Sequence, residues 1–283
     1  MINAVAPAVV VTGVSTGIGA AIARHLVNSG FRVFGSVRSA KDAKPLIDDL
    51  GDAFQPLVFD VRDGQAVNVA ATQVREALHG VPLKAVINNA GFAAFGPMEH
   101  LADETFEASI MVNLVGTRIV TNAFLPLLRH EDRLQSGQII NVSSLSGILN
   151  TPMNGAYCVA KHALESLGEI YRRELLPDGI DVVSIRSGPV QSEIWNKNKA
   201  EAITYNHEPY DLMAHNARKV MAGAERDAIP AQDIADAVLQ ILSRPKNRVA
   251  YHFSRGAVMS RILAALPARW TDRLIAKALT KPL

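Results

Sequence analysis

Tyr157 and Lys161 stand four residues apart in Gly155-Ala156-Tyr157-Cys158-Val159-Ala160-Lys161-His162-Ala163-Leu164-Glu165, a run of helix formers. At that spacing both side chains leave one face of a helix. A phenol with its ordinary pKa of about 10 is a poor proton donor at neutral pH, and a neighbouring ammonium is expected to draw that value down by stabilising the phenolate. The pair is therefore a candidate general acid/base. Ser143, Ser144 and Ser146 lie just upstream, any of them able to hold a substrate oxygen.

A second constellation sits near the amino terminus. The apolar β-branched run Ala8-Val9-Val10-Val11-Thr12 leads into Gly13-Val14-Ser15-Thr16-Gly17-Ile18-Gly19, and a helical stretch, Ala20 to Asn28, follows. Three glycines let the backbone turn sharply and approach a pyrophosphate, while the helix presents free N–H groups and its positive dipole end. Strand, glycine turn and helix together form the context that a dinucleotide site requires.

Further strand-like runs alternate with helical ones: Val33–Val37, Phe54–Phe59, Ala85–Asn88, Gln138–Val142 and Asp181–Ile185. Such alternation implies a parallel sheet with helices on both faces. Ligands of these sheets bind at the carboxyl ends of the strands, where Gly13, Asn88 and Ser143-Ser144 fall. The expected fold class is α/β, a single Rossmann-type doubly wound parallel sheet flanked by helices. No linker, repeat or low-complexity segment divides the 283 residues, so one domain is expected.

The pattern Thr12-Gly13-x-x-x-Gly17-x-Gly19, with Asn88-Asn89-Ala90-Gly91 and with Ser144, Tyr157 and Lys161, resembles the short-chain dehydrogenase/reductase family from about residue 8 to about residue 252. Asp60-Val61 resembles the family's adenine contact, and Asn113 its helix asparagine. The resemblance implies that Ser144 hydrogen-bonds the substrate oxygen, Tyr157 exchanges a proton with it, and Lys161 tunes Tyr157 while holding the nicotinamide ribose. It implies that Asn113 anchors a water continuing the relay. Ser144 is chosen over its neighbours because it lies thirteen residues before Tyr157, as in the family. The implied cofactor contacts are Gly13, Ser15, Thr16, Gly17, Ile18, Gly19, Arg38, Asp60, Val61, Asn88, Ala90, Gly91, Tyr157, Lys161, Gly188, Pro189, Val190 and Ser192. Ser187 stands where the family carries a proline and Ser192 where it carries a threonine, which questions the stiffness of that turn.

NAD-binding relatives place a carboxylate at the end of the second strand, whereas a 2′-phosphate needs a cation there. Val33 to Lys41 contains no acid; Val37 takes the carboxylate position and Arg38 follows it. NADP(H) is expected to be preferred, with NAD possible. The segments Gly91–Glu99 and Tyr157–Glu165 and the Gly188-Pro189-Val190 turn resemble the hydroxysteroid and retinol dehydrogenase branch, which implies an apolar ketone, aldehyde or alcohol as substrate. A lid over about 192–228 and a helical tail over about 256–283 are expected, with Phe95, Leu149, Met153, Val190, Ile194, Trp195 and Met213 lining the substrate side.

Net charge of +2 with interleaved signs carries no nucleic-acid footprint, and the eight histidines show no metal-ligand spacing. Cys158 is the only cysteine and reads as a small apolar filler. No apolar run is expected to reach membrane-spanning length, and a cytoplasmic protein is anticipated. By resemblance, subunits pair into a homodimer or homotetramer. Arg269, Arg273 and Lys277 recur beside Trp270, Leu274 and Ile275, an amphipathic basic pattern. The reading adopted for it is a solvated face on a core-capping helix, without membrane association. The alternative to an oxidoreductase is a catalytically inactive NADP-binding sensor or scaffold of the same fold.

Overall fold

The computed structural model describes residues 6–133, 136–191, 210–244 and 246–280. The strands β1 (Ala8–Val11), β2 (Arg32–Val37), β3 (Phe54–Val58), β4 (Ala85–Asn88), β5 (Gln138–Ser144), β6 (Asp181–Ser187) and β7 (Ala250–Phe253) form one sheet in the order β3-β2-β1-β4-β5-β6-β7. Every pairing is parallel. The helices are α1 (Gly17–Asn28), α2 (Ala40–Leu50), α3 (Gly64–Leu78), α4 (Asp103–Ile110), α5 (Thr117–Leu128), α6 (Gly155–Glu174), α7 (Asp211–Arg226), α8 (Ala231–Ser243), α9 (Ala257–Ala265) and α10 (Ala268–Thr280).

Side chains of a strand alternate between faces, and the two faces bury separate cores. Val9, Val11 and Ile87 meet α1, α2 and α8 through Ile22, Leu26, Leu46, Val238 and Ile241. Val10 and Val86 face the other way, onto α3, α5 and α6 through Val74, Phe124, Leu128 and Tyr171. The Tyr171 hydroxyl donates to Asn122 Oδ1 at 2.6 Å and ties α6 to α5. Strand order reverses between β1 and β4, so the loops after these two strands open the crevice where a dinucleotide docks in such sheets.

Asn88, expected at the cofactor, follows Val86 to the second face. Its Nδ2 donates to Thr121 Oγ1 at 3.0 Å and to Asn141 Oδ1 at 2.9 Å, and the residue is buried. The period-two alternation of β4 turns this side chain away from the crevice and makes it a structural link between β4, β5 and α5.

Helices α4 and α5 are joined by a π-helical turn, Met111–Gly116, into one continuous helix. At 26 residues, Asp103–Leu128 is by length and composition long and apolar enough to cross a membrane, contrary to the sequence expectation. Here it lies against the sheet with Val120, Phe124 and Leu128 fully buried. Replacing Asn88 by Ala should cost about 1–3 kcal/mol of stability by orphaning Asn141 and Thr121. Affinity for a dinucleotide should stay unchanged, with thermal unfolding and cofactor titration as the two readouts.

Candidate active site

Thr12 and Asn89 fasten the glycine turn to the β4 loop. The Thr12 hydroxyl accepts N–H bonds from Asn89 and Ala90, both at 2.9 Å, and Asn89 Nδ2 donates to the Thr12 and Gly13 carbonyls at 2.9 and 3.0 Å. Gly13 has φ +69°, and a Cβ there would stand 2.9 Å from Ala90 Cα. A Cβ on Gly19 would meet the Gly13 carbonyl oxygen at 2.2 Å. Only glycines allow the two loops to lie this close. Thr16 at the start of α1 makes no side-chain cap, so the first-turn N–H groups are left to an anion such as a pyrophosphate. Ser15 and Thr16 are exposed beside them, with Gly17 and Ile18 partly buried. These features fit a dinucleotide.

Arg38 is exposed at the end of β2, whereas Val37 is buried in the core among the α1 and α2 residues. Asp60 binds Arg62 through a fork, Nε to Oδ1 at 3.0 Å and Nη2 to Oδ2 at 2.8 Å. This bond, with smaller help from Arg38, holds the Asp60 carboxyl below its usual range against the opposing effect of burial. Val61 is buried, and a Cβ on Gly116 would stand 2.7 Å from its Cγ2. The Val61 side chain is thus spent on packing against the π turn, leaving any adenine contact to its backbone.

Asn113 lies within the π turn and is fully buried. Its Nδ2 donates to the carbonyls of Phe92 at 2.7 Å and Ser109 at 2.8 Å, while Oδ1 accepts from Phe92 N at 3.2 Å. Both amide protons are committed to backbone, so the side chain clamps the β4 loop. A π turn places a side chain where α-helical spacing would not.

Ser144 ends β5 and Tyr157 and Lys161 project from α6. The Ser144 hydroxyl accepts from Ser146 N at 3.1 Å and lies near enough to the Tyr157 phenol to act on its titration. Lys161, only 4% exposed, donates from Nζ to the Val142 carbonyl at 2.9 Å and stands 5.5 Å from the centre of the Tyr157 ring. Burial pushes the Tyr157 phenol up to about 12, with Ser144 pulling the other way. The expected lowering by Lys161 does not govern it, because the ammonium lies over the ring and bonds a carbonyl. Burial brings Lys161 down to about 8, partly offset by the Glu165 carboxylate.

Glu165 is a residue that the sequence reading assigned no role, although its i, i+4 spacing from Lys161 was the signal. It accepts from Arg186 Nε and Nη2 at 3.0 and 2.7 Å, and His252 lies in the same field. The departure at Ser187 also has a local explanation. Its hydroxyl donates to the Ser143 carbonyl at 3.3 Å, Gly188 N donates to Phe253 O at 2.8 Å, and Ile229 N donates to Pro189 O at 3.0 Å. Hydrogen bonds hold the turn where the family uses a proline. Val190 pairs with Ile229 and is buried in the main core, not on the substrate side. Phe95, Met153 and Met213 do come together, with Ala214 and Ala217 of α7 and with Ile275 and Leu279 of α10. Leu149 is partly buried outside that cluster, and Cys158 is buried beside Thr151. Ser192, Ile194 and Trp195 lie outside the described residues.

The model of the short chain dehydrogenase family matches residues 7–203. The chain belongs to the short-chain dehydrogenase/reductase family. Among its relatives, an NADPH-dependent 3-dehydrocapnine reductase of Ornithobacterium rhinotracheale is 32% identical over 274 residues, covering 96% of this chain and 97% of that one. Human 17-beta-hydroxysteroid dehydrogenase type 1 is 30% identical, covering 86% and 76%. The crystal structure of a short-chain dehydrogenase from Streptomyces avermitilis superposes with a TM-score of 0.80 at 26% identity, covering 98% and 99%. The protein is accordingly an oxidoreductase of this family with a nicotinamide dinucleotide as its cofactor.

The Lys161 value sets a pH dependence. Lys161 carries its proton below about pH 8 and loses it above. The kcat/KM for carbonyl reduction should hold level at about pH 6–7 and fall as pH rises through about 8. Glu165→Gln removes the carboxylate that favours the ammonium, so the falling limb should move to lower pH. An unmoved limb would show that Glu165 does not act on Lys161.

Proposed function

We propose that this chain is an NADPH-dependent reductase of bulky apolar ketones and aldehydes, working towards the alcohol. The observation that carries the reading is that α6 holds Tyr157 and the buried Lys161 together, with Ser144 at the carboxyl end of β5 near enough to act on the phenol. An inactive sensor would have no need to hold a lysine in so costly a place.

A nicotinamide dinucleotide held by the glycine turn at Gly13–Gly19 would supply the hydride chemistry for the carbonyl carbon. The chain's own part is to hold and protonate the oxygen. Ser144 donates a hydrogen bond to it, and Tyr157, protonated throughout the usual pH range, delivers the proton. A developing alkoxide is more basic than a phenolate, so this transfer runs downhill even from a phenol whose pKa is about 12. The phenolate left behind has the Lys161 ammonium 5.5 Å from its ring centre.

Support for NADPH comes from the end of β2, where the exposed Arg38 follows a buried valine and no acid stands within Val33–Lys41. The pairing of Asp60 with Arg62 turns the nearby carboxylate to another cation. The NADPH-dependent relative agrees with this choice. The apolar cluster of Phe95, Met153 and Met213 supports an apolar substrate, since burial against it contributes about 25 cal/mol per Å². A hydroxysteroid dehydrogenase among the relatives fits the same class.

Arg38→Ala is the cleaner test of cofactor choice, because Val37 is buried and an aspartate there would cost stability. The variant should bind NADPH about 10- to 100-fold more weakly and NADH unchanged; equal losses for both would remove the assignment. A steroid or long-chain ketone should give a higher kcat/KM than a sugar or short hydroxy acid. Met213→Ala should lower it by about tenfold for the apolar substrate alone. Better turnover of the polar substrate would contradict the proposed pocket.

A further inference from the structure

The charge of this chain is unevenly placed. Residues 255–283 contain six Lys and Arg against Asp272 alone, a net +5, so the rest of a chain whose total is +2 is acidic, at −3. Within it, Ala257–Ala265 and Ala268–Thr280 build the hairpin of α9 and α10. Thr271 Oγ1 donates to the Leu263 carbonyl at 3.1 Å and fastens the start of α10 to the end of α9.

The core-capping role expected of this tail applies to one edge only. Ile275 and Leu279 pack towards Phe95, Met153 and Met213. The opposite stripe of α10, Trp270, Arg273, Leu274 and Lys277, is exposed. Helix α9 has no buried residue, although its sequence is Ala-Val-Met-Ser-Arg-Ile-Leu-Ala-Ala. Exposures in the patch of Val258, Met259, Ile262, Trp270 and Leu274 run from 49% at Leu274 to 69% at Val258. Scattered exposed apolar residues are ordinary, but a helix apolar nearly all round is normally covered.

We infer that the α9–α10 hairpin is a docking surface for an anionic lipid bilayer, with Val258, Met259, Ile262, Trp270 and Leu274 entering the interface and Arg269, Arg273 and Lys277 meeting the headgroups. Tryptophan and aliphatic side chains interleaved with guanidinium and ammonium groups match such an interface in both polarity and charge. A second copy matches it poorly, since a twofold contact through this face would set one basic segment against another. On the reading of Phe95, Met153 and Met213 given above, docking also brings the substrate side of the chain to the membrane; the docking itself does not depend on that reading.

The test is flotation of the full chain with vesicles of phosphatidylcholine alone, or with about one-third phosphatidylglycerol. The chain should float with the anionic vesicles, remain behind with the neutral ones, and be released by high salt. Arg269→Glu/Arg273→Glu/Lys277→Glu and Trp270→Ser/Leu274→Ser should each reduce recovery by about tenfold or more while keeping the wild-type melting temperature. In a Trp195→Phe chain, Trp270 is the sole tryptophan, and its emission should shift to the blue when anionic vesicles are added. No flotation with anionic vesicles, or equal flotation with neutral ones, would overturn the inference. So would a dimer in light scattering that Ile262→Ser dissolves without any vesicle binding, which would give the patch to a second copy. Flotation is read without turnover, so its failure and that of the reductase reading are separate results.

Discussion

A charged lysine sealed from water is the constraint around which the catalytic end of the sheet is arranged. With its pKa brought from 10.5 to about 8, Lys161 costs the fold on the order of 3 kcal/mol, in full below about pH 8 and receding as pH rises towards its ordinary value. That figure is already net of the Glu165 carboxylate, and the ammonium also meets the Val142 carbonyl and the face of Tyr157. Each belongs to a different requirement: a strand end that reaches under α6, an acid one turn along the helix, and an aromatic ring one turn back. Moving any of them would leave the ammonium with one partner fewer in a buried place.

The same economy extends outwards. Glu165 must itself be paired, and Arg186 on β6 does so. Ser187, next along β6, bonds the carbonyl of Ser143 and holds β5 and β6 together at their ends, which fixes where Ser144 stands. On the other side of the crevice, Thr12, Asn89 and Asn113 act on backbone rather than on ligands. The polar residues around this crevice are thus divided between a few that face the chemistry and more that hold its loops.

Much of this was legible in the sequence because it rests on local rules. Strand, glycine turn and helix announced the dinucleotide end, and the alternation of runs announced a parallel sheet. The spacing of Tyr157 and Lys161 announced a shared helix face. What was hidden depends on facing. Asn88 looked like a crevice residue until the parity of β4 turned it to the α5 side, and Val190 looked like a pocket wall until its bridge to Ile229 drew it into the core. The π turn at Met111–Gly116 changes helical phase without any change in composition, so the commitments of Asn113 could not be foreseen. The pKa of Tyr157 was misjudged in direction because proximity to an ammonium says nothing of its aim, and burial outweighed it. In the tail, hydropathy could not say which stripe was inside.

The most direct measurement of the central claim is a pair of readings on Tyr157→Phe: NADPH affinity by titration, and the single-turnover decay of NADPH absorbance with an apolar ketone. Removing one hydroxyl takes away the transferable proton and leaves the ring over Lys161 in place. The account predicts affinity within about threefold of the wild type and a single-turnover rate lower by about 100-fold or more. A variant that still reduced the ketone at close to the wild-type rate would contradict it.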